Sequence, residues 1–382
     1  LPPGLLLSYI LHLLNKFIMS AVTAHLMRRS VELASEHRPS KPEDEQTPGG
    51  LVALFILSAL VFVLIGGAIE YTYGSVVATL AAVEDSNPDI YVRIDNDNDD
   101  LAKPYDPNDP EPAAAPTPKP ITSKLRTTVK HLRARAGFWS RFRGFSMFVT
   151  YSIARAMLSA IIPVPSSSFI GQFFVQSLVG VLLSGLQMTW VWIVITEPSP
   201  KRFYQRIPSY RTWVKVAPAA LLEDALTAAA FFLPMAVAQF AGAFNITPGN
   251  NNTLADMCRW LAVTTVPAIL AFLVTVPARV IFVRVAASML PEEQETIVPF
   301  DRSFGGKVQP AIVGGSGKIG LLDAWKTFDW ASRVRFVKVI FKTFAMEVAV
   351  GALAVLVLGG QLFYMMPKGT QGNGSPEKPV IG

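Results

Sequence analysis

One cysteine, Cys258, stands in 382 residues, so no disulfide closes within the chain and no cysteine cluster is available for a metal. The four histidines, His12, His25, His37 and His131, fall in no metal-ligand spacing. Charge is scarce as well: Asp, Glu, Lys and Arg make up 16% of the residues, against about 25% in an ordinary soluble domain. No Ser–His–acid set, Cys–His pair or paired-carboxylate motif occurs at a recognisable spacing. No catalytic residue, cofactor or metal is therefore expected.

The few charges crowd between long apolar stretches. A helix crosses a hydrocarbon core of about 30 Å with about 20 residues. Six stretches reach that length: 51–80, 144–162, 168–195, 213–243, 257–290 and 333–365. The expected fold class is all-α, a polytopic transmembrane helix bundle of about six spans. They fall into three helical hairpins, 51–165, 168–245 and 257–366. Residues 4–26 are apolar but broken by His12, Asn15, Lys16 and His25, which predicts an N-terminal amphipathic helix or a seventh span. The interfacial placement is favoured, because polar groups are costly at mid-bilayer. Residues 27–50 read as a polar linker ending in Thr47-Pro48-Gly49-Gly50, and 367–382 as a polar tail. The loop 84–123, rich in Asp, Asn and Pro, has no apolar face to bury and reads as disordered. The chain opens on Leu1 rather than methionine, which predicts a fragment or processed form.

Basic residues set the orientation. Lys124, Arg126, Lys130, Arg133, Arg135, Arg141 and Arg143 lie between spans one and two. Lys201, Arg202, Arg206, Arg211 and Lys215 lie between three and four. Lys307, Lys318, Lys326, Arg333, Arg335 and Lys338 lie between five and six. These loops fall on one side, predicted to be cytosol or mitochondrial matrix. The net charge of +6 is thereby assigned to loop placement, and no nucleic-acid partner is expected.

The three hairpins share a plan: a long span, a long loop, a short basic segment with aromatics, and a second span. The short segments read Gly137-Phe138-Trp139-Ser140-Arg141-Phe142-Arg143-Gly144, Tyr210-Arg211-Thr212-Trp213-Val214-Lys215, and Ala324-Trp325-Lys326-Thr327-Phe328-Asp329-Trp330. This plan over 51–366 resembles the mitochondrial carrier family, in which three kinked hairpins enclose a pathway that opens alternately to either side. The family signature is Pro, any residue, acidic, two residues, basic. The third hairpin has Pro277-Ala278-Arg279-Val280-Ile281-Phe282, with Arg279 at the acidic and Phe282 at the basic position. The second has Pro198-Ser199-Pro200-Lys201-Arg202-Phe203, and the first has no proline between 51 and 87. The resemblance implies a mitochondrial membrane and a small, anionic solute. Endoplasmic reticulum or plasma membrane is the alternative location.

Ionisable residues inside spans are expensive and mark function by default. Glu70, Arg155, Glu223, Asp224, Arg279, Arg284 and Glu347 qualify. Of these, Arg155, Glu223, Asp224, Arg279, Arg284 and Glu347 are the expected substrate-binding residues, and Arg155 is expected to pair with Glu223 or Asp224. The plainer reading has Arg279 and Arg284 reaching to the internal surface, with the acids as structural partners.

Three further patterns carry less. Asp95-Asn96-Asp97-Asn98-Asp99-Asp100 lacks the central glycine of a calcium loop. Gly314-Gly315-Ser316-Gly317-Lys318 lacks the remaining residues of a phosphate loop and reads as a flexible loop. Asn245-Ile246-Thr247 and Asn251-Asn252-Thr253 fit N-glycosylation on an external turn. The stretch 124–143 suits anionic lipid headgroups, and 84–143 a protein partner. The two functional expectations are a carrier-like transporter and a non-transporting membrane scaffold or assembly factor.

Overall fold

A computed structural model describes residues 49–85, 120–165, 168–242, 254–309 and 314–365. The expected N-terminal helix, the glycosylation patterns, the acidic tract and the tail lie outside them.

Helix α1 (Gly49–Ile69) runs without interruption into a π-helical segment, Glu70–Val77, and then α2 (Ala78–Val83). Then follow α3 (Leu125–Ala136), α4 (Phe145–Ile161), α5 (Phe169–Ile195), α6 (Tyr210–Phe240), α7 (Leu254–Ser288), α8 (Leu321–Lys326) and α9 (Trp330–Met365). Six of these rods are long and apolar enough to cross a membrane: Gly50–Val83, Phe138–Ile161, Phe169–Ile195, Tyr210–Phe240, Leu261–Ser288 and Trp330–Tyr364. The protein is an all-α integral membrane protein, and the six apolar stretches of the sequence are its six spans.

Prolines do not end these helices. Pro218 and Pro234 lie inside α6, and Pro267 and Pro277 inside α7. Membrane helices tolerate them because neighbouring groups satisfy the freed carbonyls. Span ends carry the capping chemistry instead. Ser168 accepts from the Gly171 N–H at the start of α5, and Gly144 takes φ +71° to turn the chain into α4.

Helices α5 and α6 pack along their length, as do α6 and α7, so α6 is central. Helix α4 lies against α5, and α1 pairs with α9. The outer half of α1 leaves Val52, Ile56, Leu60 and Leu64 exposed, as a lipid-facing surface requires.

The loops after the first, third and fifth spans meet at one end. The Glu197 N–H donates to the Glu295 carbonyl (2.9 Å), the Ile297 N–H to the Ile195 carbonyl (2.9 Å), and the Asp85 N–H to the Pro299 carbonyl (3.0 Å). This shared loop face is what the basic-residue pattern predicts. It is a packed cap: Leu132, Ile297, Val298, Phe300, Ile319 and Phe328 are buried with the span ends. The two ends of the 84–123 stretch belong to it. The Glu84 carboxylate accepts from the Ile121 and Thr122 N–H groups and from the Thr122 hydroxyl. Disorder is thus not the right description for 84–85 and 120–123; residues 86–119 lie outside the described ones. Gly314–Lys318 is pinned as well, with the Lys215 ammonium donating to the Ser316 carbonyl and the Lys318 ammonium to the Lys215 carbonyl (2.9 Å each).

Candidate functional site: a polar interior across the spans

Helix periodicity aligns Gln176, Gly180, Ser184 and Gln187 on one face of α5. Across from it, α6 presents two successive carboxylates that diverge by about 100°. Asp224 turns toward α4, where Arg155 Nη1 donates to its Oδ1 at 2.9 Å. The same guanidinium donates to the Tyr151 hydroxyl (2.9 Å) and to Gln176 Oε1 (3.0 Å). Arg155 is 3% exposed. The expected pair therefore forms, with Asp224 as the partner.

Glu223 turns the other way. It accepts from Gln187 Nε2 at 3.0 Å and lies close enough to Arg279 of α7 to act on its charge. Arg279 donates to the Thr79 hydroxyl (3.1 Å) and lies over the Trp190 ring at 5.8 Å. Glu70, on the π segment, is the second carboxylate acting on Arg279. Glu347 of α9 completes the series, close enough to Glu70 to act on its charge. Thr275 and Thr227 link α7 to α6, hydroxyl to hydroxyl at 3.3 Å.

Much of this interior is unsatisfied. Both Glu70 oxygens, Glu223 Oε1, Asp224 Oδ2, Gln187 Oε1, and Arg279 Nε and Nη1 are buried without a hydrogen-bond partner among the described residues. Buried polar groups are ordinarily paired, so a concentration of orphans needs an explanation. Snorkelling does not describe either arginine of α7. Arg279 is 3% exposed and held in the interior. Arg284 is also buried; it donates to the Ala82 carbonyl (3.2 Å) and the Thr327 hydroxyl (2.9 Å) and stacks against Phe304 and Phe328 at 4.6 and 5.3 Å. Arg279 thus belongs to the interior between the spans and Arg284 to the loop face.

Arg284 borders a cavity of about 320 Å³ in the loop face, whose other walls include Glu84, Asp85, Asp301, Phe304 and Asp329. Asp301 is outside the spans. Its partial burial favours the neutral acid. The N–H groups of Gly305 and Ser303 and the Ser303 hydroxyl outweigh this and hold the carboxyl below its ordinary range. Among the described residues no group of acids, histidines or cysteines is disposed to hold a metal.

Sequence reading found the seven ionisable span residues named above. It did not find the π segment, the glycines that make room for carboxylates, or the loop-face cavity. These depend on which helix sits beside which. Comparisons with protein-family models, with curated proteins and with solved structures give no match.

Proposed function

We propose that this integral membrane protein is a transporter that passes a small solute with an anionic group through the polar interior between α1, α5, α6 and α7. The observation that carries the reading is Arg279. It is buried at membrane depth with two unpartnered donor nitrogens, beside unpartnered oxygens of Glu70 and Glu223. A purely structural ion cluster would close its hydrogen bonds, because each open one costs about 1–3 kcal/mol. Open donors and acceptors side by side are what a passing solute and its water would complete. Arg155 is committed to Asp224 and serves to hold α4, α5 and α6 together. Arg284 and the cavity serve as the loop-face mouth. Glu347 and Glu223 flank the anchor. The shared loop face and the threefold plan favour a carrier-like architecture and, with it, a mitochondrial membrane, with endoplasmic reticulum or plasma membrane as the alternative.

The test is uptake into proteoliposomes of a panel of radiolabelled dicarboxylates, amino acids and inorganic phosphate. Wild type is expected to accumulate at least one, Arg279→Lys to retain part of that uptake, and Arg279→Gln to lose it. Wild-type protein that is folded yet takes up none of the panel would overturn the reading.

A second reading, a membrane scaffold, has its own observation. Phe138 and Trp139 are exposed beside Lys124, Arg126, Lys130 and Arg133 of the α3 region. This surface suits anionic lipid headgroups or an acidic protein partner.

A further inference from the structure

We propose that Glu70 and Glu347 share one exchangeable proton, and that this proton couples the transport proposed above to a pH gradient; the proposal rests on that transport reading. The π segment that carries Glu70 packs against α9, which carries Glu347, and the two carboxyl groups act on one another across that seam between the first and last spans. Glu70 is 5% exposed. Neither of its oxygens, nor Glu347 Oε1, receives a donor from any described residue. A carboxylate only accepts, so two facing carboxylates repel and leave both unsatisfied. One added proton makes one of them an O–H donor and the other its acceptor.

The surrounding charges point the same way. Glu347 faces Glu70 from α9, and Arg279 faces it from α7. Arg143, where the chain enters α4, is turned away: its guanidinium donates to the Ile193 and Thr196 carbonyls. His131 of α3 is engaged with the Ile297 carbonyl at 2.9 Å. Tyr71, next in sequence, donates to the Arg143 carbonyl and accepts from the Trp190 N–H at 3.2 Å. Arg279 is the cation acting on Glu70, Glu223 draws on both Arg279 and Arg155, and the charged group acting on Glu347 is Glu70 itself. A facing pair of carboxylates that shares a single neighbouring cation in a bilayer interior is costlier than the same pair with one bound proton.

The backbone is built around this position. The i→i+5 turns of Glu70–Val77 are a rare geometry that recurs at functional sites. They bring the Glu70 carboxyl over Gly74, where a Cβ would stand 2.6 Å from Glu70 Oε2. Glu347, half-buried, is the member through which the proton exchanges with water. Binding takes a proton from water on one side of the membrane; release to the other side restores two carboxylates, and no other bond changes.

The experiment has two arms on the full chain in lipid. In the first, infrared spectra of nanodisc protein in H2O and D2O record the C=O stretch of a buried protonated carboxyl. The band is expected in wild type, absent in Glu70→Gln and in Glu347→Gln, and kept in Glu223→Gln. In the second, proteoliposomes take up radiolabelled succinate, glutamate or phosphate with and without an imposed pH gradient. Wild-type uptake is expected to rise severalfold with the gradient. Glu347→Gln is expected to lose that response, whatever uptake it retains at equal pH. A band unchanged by both substitutions overturns the shared proton. Uptake that ignores the gradient overturns the coupling and leaves the transport reading standing. No uptake of any solute overturns both.

Discussion

Asp224 occupies the space that a side chain at position 180 would fill: a Cβ on Gly180 would stand 2.0 Å from Asp224 Oδ2. Glycine is there because α5 and α6 close on a carboxylate that must reach Arg155. Gly180→Ala is expected to push Asp224 aside and open the pair. The loss of thermal stability in detergent should correspond to about 2 kcal/mol. Gly66→Ala, where nothing lies within 4 Å of the added carbon, is the neutral control.

The Arg155–Asp224 pair itself gives a sharper test. Removing one member strands the other in the interior, at a cost of about 3–5 kcal/mol, whereas replacing both with apolar residues costs much less. Arg155→Met and Asp224→Leu should each destabilise strongly, and the double variant should recover most of the loss. Additive losses in thermal melts would remove the pair from the account.

Spans were legible in the sequence because lipid imposes length and low charge together. Gly50–Val83 and Trp330–Tyr364 could be read from apolar runs alone. The single orientation of the loops was legible for the same reason, through Lys and Arg placement. Glu70 was visible as a charge in a span, but its π segment was not, since EYTYGSVV has no pattern that distinguishes i→i+5 from i→i+4 turns. The Arg155–Asp224 pair could be narrowed to two acids; deciding between Glu223 and Asp224 needed the rotation of α6 against α5. Glu84 was read as the first residue of a disordered loop. Its role as the acceptor for Ile121 and Thr122 joins residues far apart in sequence, which local composition does not encode.

That Glu84 knot carries a prediction. Arg335 donates to the Glu84 carbonyl at 2.8 Å, and its Nε lies 3.9 Å from Glu84 Oε2. Glu84→Ala keeps the backbone bond but frees the Ile121 and Thr122 N–H groups and the Thr122 hydroxyl, and removes the charge beside Arg335. Trypsin is expected to cut at Lys124 and Arg126 several times faster than in wild type, with the spans still folded. An unchanged cleavage rate would mean that α3 is held by other contacts.

The Asp301 turn should respond to acid. Its carboxyl is held below the ordinary range, so its contribution is fully present above that range. It is lost as pH falls through the lowered value. Hydrogen exchange at Gly305 and Ser303, corrected for intrinsic rates, should accelerate only at low pH. Asp301→Asn should exchange quickly at every pH.

The most direct test of the interior as a solute path is water access at Thr227, Thr275 and Thr79, whose hydroxyls lie along it. Each is replaced by cysteine in a Cys258→Ser background and exposed to a membrane-impermeant thiol reagent, with Ser316→Cys on the loop face as the positive control. The account predicts that the three interior positions react and that a transported solute slows the reaction. Labelling of Ser316→Cys alone, with all three interior positions inert from both sides of the membrane, would contradict it.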